Sequence, residues 1–525
     1  MTSLSSAQRR VSWSGAAAIV GYICLSLAYF HWGWSDDISE FGGDSSMYML
    51  MARNFSPFYP GSAVLSQAVQ GTTYPPLFPL LIGLLGGSML AAHLLVVATL
   101  LAAVWCLYAW LRHKGLGMGI SAWTAGLFAL MPGTYFPALN ILTENPYLLL
   151  SLVAILTEGL ASLEGGRRPA LRWVAAVAVA AATLVRAAAL PLLAAFVIRL
   201  LITRPRRWPW LIAASALPFL LWAAWSKLHH AGVSGYVSQW SSIYADDPIA
   251  AFRAQVGMES GRVLRAWIKA WTGQGGVAAL AYLVAAIGLV CLLGCLRRLA
   301  ELRFDAIYVV FYVTLLLVWP FSGEASRLSY PLLPVLLAQG MLLVDRMCLG
   351  GDAPLLRLLP ALLLGLLTLG ILPALFLTAR RFNDPLPPEL AAARRTESFY
   401  LGDHQQSIQA AQSFTKTLNG LKEIDRFVTN ENCIFAVKPA VITLYSDRSS
   451  YLPPLSSSTD ESFERDIDQC RYAYLLAIVT PTFNQSLYPM QRLGDRTHPL
   501  VLEFAPAGDG SSREVFAALV EIGKR

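Results

Sequence analysis

Long apolar stretches separated by short polar turns organise most of this chain. Runs long enough to cross a bilayer, about 17–25 residues each, fall near 12–31, 88–111, 118–138, 143–162, 209–228, 276–296, 304–321, 328–346 and 355–378. The run 170–202 is too long for one span and is interrupted by Arg186, so it reads as a hairpin of two short spans. The pattern predicts about eleven crossings. Residues 380–399, "RRFNDPLPPELAAARR" and its flank, form a proline-rich linker, and 400–525 holds no apolar span. There the pattern changes to a helix-like "QQSIQAAQSFTKTLNGLKEIDRF" followed by strand-like "CIFAV", "YAYLLAIV" and "PLVLEF", which predicts a small α/β domain. The expected plan is a mostly α polytopic bundle over 1–379, the linker, and the α/β domain.

Composition agrees with that plan. Hydrophobic residues make up 55% of the 525, and charged residues only 14%, against about 25% in soluble chains. The net charge of +7 lies largely in turns at alternate span ends. Arg9 and Arg10, Arg112 and Lys114, Arg167, Arg168 and Arg172, Arg204, Arg206 and Arg207, Arg297, Arg298 and Arg303, then Arg346 and Arg357 all fall on one side. By the positive-inside rule that side is cytoplasmic, so the charge reflects topology and does not point to nucleic acid. The other side receives 32–87, the turn 139–142, Arg186, the loop 229–275, the turn 322–327 and everything beyond 380. The first run lacks a small-residue cleavage site and reads as an uncleaved anchor. Of seven cysteines, Cys433 and Cys470 lie in the tail, where an oxidising compartment would let them pair; spacing alone does not fix connectivity.

Candidate chemistry gathers at the non-cytoplasmic span ends. "DDISEFGGDSSMYMLMARNF", residues 36–55, places Asp36, Asp37, Glu40 and Asp44 just after the first span. Gly42 and Gly43 allow a tight turn, and Asp44 or Ser45 can cap the helix that follows. Met47, Leu50, Met51 and Phe55 make an apolar stripe, as in a helix half sunk in the interface, while Asp44 and Tyr48 share another face. Tyr74-Pro75-Pro76 predicts a stiff extended entry to an apolar helix. Glu144 opens the fourth span, where favourable N-terminal charge is the simple explanation. Arg186 stands amid apolar sequence, a costly position that calls for a partner, a pathway or a bound ligand; pairing with Glu144 would meet that need. Lys227, His229 and His230 end one span, and Arg327 begins another. For the first three, snorkelling toward headgroups is the default. "SGRVLRAWIKAW" carries Arg262, Arg265 and Lys269 on one side and Trp267 and Trp271 near the other, the signature of an interfacial helix that could cover a cleft.

The order of these features resembles the GT-C glycosyltransferases. Asp44, four residues before Tyr48 and followed by "LMARNF", is similar to their first outer loop; "TYPPLFPLLIGLL" is similar to their aromatic-Pro-Pro-Leu segment; and "LTENPYLLL" is similar to their acidic fourth-span opening. The resemblance covers about 1–345 in plan, and is strongest to the branch containing protein O-mannosyltransferases and lipid A aminoarabinose transferases. The chain departs from the latter where Tyr74 replaces a charged residue before the Pro-Pro pair. The resemblance implies an inverting transfer of one sugar from a polyprenyl-phosphate donor to a lipid, glycan or protein acceptor at the periplasmic face of the inner membrane. Asp44 is then the candidate general base. Arg186 and Arg327 are candidates for the donor phosphate, with Lys227 and His230 behind them. Tyr48 and Tyr74 would line the substrate site, and Glu144 would orient the acceptor or Arg186. Asp36 and Asp37 are candidates for a second carboxylate or, as in the oligosaccharyltransferase branch, for ligands of a divalent metal. A transporter or flippase of a lipid-linked or anionic substrate is the alternative, although the chain shows no repeated halves. A non-catalytic scaffold would leave the order of Asp44, Glu144 and Arg186 unexplained.

Overall fold

The computed structural model describes residues 13–41, 43–70, 72–163, 169–229, 241, 243–245, 247–273, 278–320, 324–349, 358–383, 404–429, 432–436, 438–454, 459–476, 492, 496–504 and 515–523. Its bundle contains α1 (Trp13–Trp32), α5 (Met89–His113), α6 (Met118–Leu130), α8 (Glu144–Leu163), α9 (Pro169–Val185), α10 (Leu190–Thr203), α11 (Trp208–His229), α13 (Ala278–Ala300), α14 (Phe304–Leu317), α16 (Leu333–Leu349) and α17 (Leu359–Asn383). Shorter helices join or cover these: α2 (Asp44–Phe55), α3 (Ala63–Val69), α4 (Leu77–Leu84), α7 (Tyr135–Leu139) and α15 (Ala325–Ser329). A long one, α12 (Pro248–Thr272), packs against α13, α14 and α15. Among the described residues six helices are long and apolar enough to cross a membrane, and five shorter apolar helices accompany them. Large apolar side chains on the outside of the bundle, such as Ile19, Ile23 and Leu27 on α1 or Leu362, Leu369 and Phe376 on α17, are exposed, as expected of a lipid-facing surface. The chain is a multi-pass membrane protein.

Several boundaries differ from the apolar runs, for identifiable reasons. The run 118–138 is not one helix: α6 stops at Leu130, and Pro132-Gly133-Thr134 turns as a 3-10 segment before α7. Gly133 is needed there, because a Cβ would stand 2.8 Å from the Cβ of Ala270 on α12. The 170–202 run is a hairpin as expected, with Arg186 extended between α9 and a 3-10 turn that opens α10. The 328–346 run starts earlier, at Ala325, where α15 and a 3-10 turn at Tyr330-Pro331-Leu332 lead into α16. Arg298, one of the cytoplasmic turn residues, is buried; its guanidinium binds Asp305 through two hydrogen bonds of 2.6 Å, and Gln339 donates to the same carboxylate at 2.9 Å. That doubly held pair clasps the turn between α13 and α14 to α16.

The C-terminal unit comprises α18 (His404–Glu423), α19 (Pro439–Ser446), α20 (Asp460–Ile467) and a five-stranded sheet of order β2-β1-β3-β5-β4. Its strands are β1 (Ile434–Phe435), β2 (Ser450–Tyr451), β3 (Tyr472–Leu476), β4 (Thr497–Phe504) and β5 (Val515–Ile522). β1 is parallel to β2 and β3, whereas β5 runs antiparallel to β3 and β4. Cys433 and Cys470 are joined as a disulfide beside β1 and β3.

This unit roofs α2, which corrects the picture of a half-sunk surface helix. Seven of the residues of α2, from Ser45 to Ala52, are buried against α3, α4 and α19. The contact is polar and specific: Lys422 Nζ lies 2.8 Å from Asp37 Oδ2, the Ile38 amide donates to Tyr445 Oη at 3.2 Å, and Arg53 donates to the Leu444 carbonyl at 3.0 Å. Gln67 donates to Tyr451 Oη at 2.8 Å. Burial and the Asp37 charge hold the Tyr445 hydroxyl well above the usual phenol range, so it stays protonated in this seam.

Candidate active site

Asp44 begins α2, but it does not cap it. Gly43 occupies the N-cap position with φ 99°, a left-handed conformation that suits glycine. The Asp44 carboxylate is therefore free to face across the fold. Its Oδ1 accepts the Tyr74 hydroxyl at 2.6 Å, and its Oδ2 accepts Arg327 Nη1 at 2.5 Å. Tyr74 comes from the stiff segment ahead of α4, and its ring stands edge-on to Tyr48 at 5.2 Å. Tyr48 also meets Phe78 at 5.3 Å and is buried. It braces Tyr74 instead of opening onto the site, and burial raises its hydroxyl pKa.

Arg327 is the hub. Its Nε donates to Glu144 Oε1 while its Nη1 holds Asp44, so one planar fork links α2, α8 and α15. Arg186 Nη1 lies 2.7 Å from the same Glu144 oxygen, an ion pair whose N–H is not aligned as a hydrogen bond. Exposure separates the roles: the Glu144 side chain is 0% exposed and that of Arg186 10%, whereas Arg327 and Asp44 are 21% and 25% exposed. Of these four, Asp44 and Arg327 can meet a substrate, and Glu144 and Arg186 form the foundation beneath. Asp44, Glu144 and Arg186 thus form one connected array, with the last two under its surface.

Next to the two residues that precede Arg327, an open cavity of about 460 Å³ is walled by Arg262, Arg265, Lys269 and Thr272 of α12 with Ala325 and Ser326 of α15; Arg327, Asp44 and Glu144 are not part of its wall. Such a volume is in the range of small-ligand sites. The sequence builds α12 firmly. Asp247 caps it by accepting the amides of Ile249 and Ala250, both at 3.0 Å; Pro248 takes the first helical position; and Gly273 ends it. Trp267 donates to the Val284 carbonyl at 3.0 Å and Gln255 to that of Trp319 at 2.6 Å, which anchors the helix to the bundle. Arg262 pairs with the buried Glu259, leaving the cavity wall net basic. Basic residues spaced by three and four positions signal one helix face, and they were readable as a surface but not as a pocket.

The remaining candidates lie elsewhere. Lys227 is exposed near the end of α11, with no bond to the array, and His230 lies outside the described residues. Asp37 is committed to Lys422 and Tyr445, and Asp36 is exposed. Among the described residues no group of three or more His, Cys, Asp or Glu is arranged to hold a metal ion. Lys438, just before α19, presses its side chain over Gly43: a Cβ there would meet Lys438 Cδ at 3.1 Å and Nζ at 3.8 Å. The C-terminal unit thereby reaches the edge of Asp44.

No protein-family model matches this chain, and no curated protein matches it in sequence. Solved structures do resemble it. ArnT from Cupriavidus metallidurans in the apo state is 12% identical with a TM-score of 0.52, over 97% of this chain and 98% of that one. ArnT from the same organism bound to undecaprenyl phosphate gives a TM-score of 0.47 at 11% identity, over 96% and 98%. The oligosaccharyltransferase of Archaeoglobus fulgidus, tethered to an acceptor peptide, gives 0.47 at 12% identity, over 97% of this chain and 74% of that one. The chain shares the fold of ArnT in the apo state along nearly its whole length.

Proposed function

We propose that this chain is an inverting glycosyltransferase that moves one sugar from a polyprenyl-phosphate donor to a hydroxyl of a lipid, glycan or protein acceptor. The observation that carries this reading is the contact between Asp44 and Arg327, drawn from 283 residues apart, with a basic cavity lined by the two residues that precede Arg327. An acceptor hydroxyl needs a base as it attacks the anomeric carbon, and a positioned carboxylate accelerates such a step by about 10²–10⁴. Asp44 takes the hydroxyl proton. As the acceptor oxygen bonds to the anomeric carbon, the bond from that carbon to the phosphate oxygen breaks, and its electron pair leaves with the polyprenyl phosphate.

The leaving phosphate needs cations more than an acid. Arg327 and the Arg265 and Lys269 side chains of the cavity wall supply them, and guanidinium binds phosphate through two parallel donors. Tyr74 fixes the Asp44 carboxylate. Glu144, buried and ion-paired, holds Arg327 and Arg186 in place without touching substrate. The site lies on the periplasmic side of an inner membrane: basic residues cluster at the opposite span ends, and a disulfide in the C-terminal domain suits an oxidising compartment. That domain, with Lys438 over Gly43, contributes to acceptor docking.

The test compares wild type and Asp44→Asn in purified membranes supplied with radiolabelled polyprenyl-phosphate sugars. The variant loses turnover by about 10²–10⁴ while still binding donor. Unchanged turnover rejects Asp44 as the base, and failure of wild type to release polyprenyl phosphate from any donor rejects the enzyme in favour of a transporter.

A further inference from the structure

Both oxygens of the Asp44 carboxylate are already engaged, one by the Tyr74 hydroxyl and one by Arg327 Nη1. Each oxygen keeps a second acceptor site, but the Arg327 guanidinium stands against the Oδ2 side and the Tyr74 hydroxyl against Oδ1, so an acceptor hydroxyl must approach past one of them. Arg327, however, is divided. Its Nε is tied to Glu144, which is itself fixed by burial and by Arg186, whereas its Nη1 bond goes to the more exposed Asp44. A guanidinium has five donors in a rigid fork, so the Nη edge can change partner while Nε keeps its anchor. The competing partner would arrive nearby, because Ala325 and Ser326, the two residues before Arg327, line the basic cavity.

We infer that Arg327 is exchanged between Asp44 and the donor phosphate, so that donor binding frees the base and must precede deprotonation of the acceptor. This rests on the glycosyltransferase reading above and adds an order of events to it. Phosphate draws the Nη edge of Arg327 into the cavity, and Asp44 keeps only its Tyr74 hydrogen bond. One lone-pair face then opens toward an acceptor hydroxyl. Without donor, Arg327 returns to the Oδ2 side of the carboxylate and narrows the approach of an acceptor or water when there is no sugar to transfer.

The exchange makes Asp44 and phosphate competitors for one side chain, and a double-mutant cycle reads that competition. Undecaprenyl phosphate is titrated against the full chain in lipid nanodiscs, in wild type, Asp44→Asn, Arg327→Met and the double variant. Asp44→Asn should bind at least about tenfold tighter than wild type, the weight of one charge-assisted hydrogen bond no longer broken on binding. In the Arg327→Met background the same change should leave affinity unaltered. Arg327→Lys, which keeps the charge but not the fork, serves in place of Arg327→Met where that variant is not recovered, and should show a reduced gain. Equal tightening in both backgrounds would mean simple repulsion between Asp44 and phosphate and would overturn the exchange, as would no tightening in either. Absence of undecaprenyl phosphate binding in all four proteins overturns the functional reading and the exchange with it.

Discussion

Glu144 offers the sharpest quantitative test. Its side chain is 0% exposed and faces two guanidiniums, Arg186 at 2.7 Å and Arg327. Replacing it by Gln removes the charge and keeps the shape. Arg327 retains Asp44 and one-fifth of its surface, so its loss is small. Arg186 is 10% exposed and has no other carboxylate in contact among the described residues, so it becomes an unpaired buried charge. Two unit charges 4 Å apart at an effective dielectric of 20 attract by about 4 kcal/mol, and removing one member of a buried pair costs about 3–5 kcal/mol. Glu144→Gln should therefore destabilise the protein by about that much, and Arg186→Met by less, because Glu144 keeps its pair with Arg327. The double variant, which leaves no orphan charge at Arg186, should recover more than half of the summed loss. The assay is thermal unfolding of all four proteins in nanodiscs, followed by intrinsic fluorescence. Additive losses, with a coupling below about 0.5 kcal/mol, would refute the claim that these two charges sustain each other.

Other substitutions probe the exposed half of the array. Tyr74→Phe keeps the ring edge-on to Tyr48 but removes the 2.6 Å hydrogen bond to Asp44; kcat should fall about 3- to 30-fold, and an unchanged kcat would show that the hydroxyl is idle. Gly43→Ala forces a Cβ into the left-handed region and to 3.1 Å from Lys438 Cδ, so about 1–2 kcal/mol of strain should appear as lowered melting temperature and turnover, with Lys438→Ala relieving the contact but not the strain. Arg265→Gln with Lys269→Gln should raise the donor KM about tenfold or more while sparing the fold, as circular dichroism would verify, because both side chains face the cavity.

Much of this arrangement was legible before the structure. The apolar runs carry the bundle because a bilayer imposes length and composition on every crossing. Arg186 stood out because a cation amid apolar residues is costly, and its link to Glu144 was among the expected explanations. Arg327 at the centre was less visible: it is one of several basic residues at span ends, and its partners are 183 and 283 residues away. The basic face of α12 read as an interfacial helix because periodicity reveals a face but not what it confronts. The break at Pro132-Gly133 was hidden by continuous hydrophobicity on both sides. Asp37 looked like a free carboxylate, since nothing local foretells a lysine 385 positions downstream. β2, two residues long, is set by pairing with β1 and leaves no pattern of its own.

The seam between α2 and the C-terminal unit also has a history, set by the direction of synthesis. Arg53 leaves the ribosome 391 residues before Leu444, the carbonyl it binds. At about 5–20 residues per second, that gap lasts roughly 20–80 s, during which the helix bearing Asp44 is already made but still lacks its cover. A chain truncated before α18 would keep the Tyr74 and Arg327 contacts of Asp44 but leave α2 without its cover. The cover over α2 is thus assembled late in synthesis, long after the helix it covers.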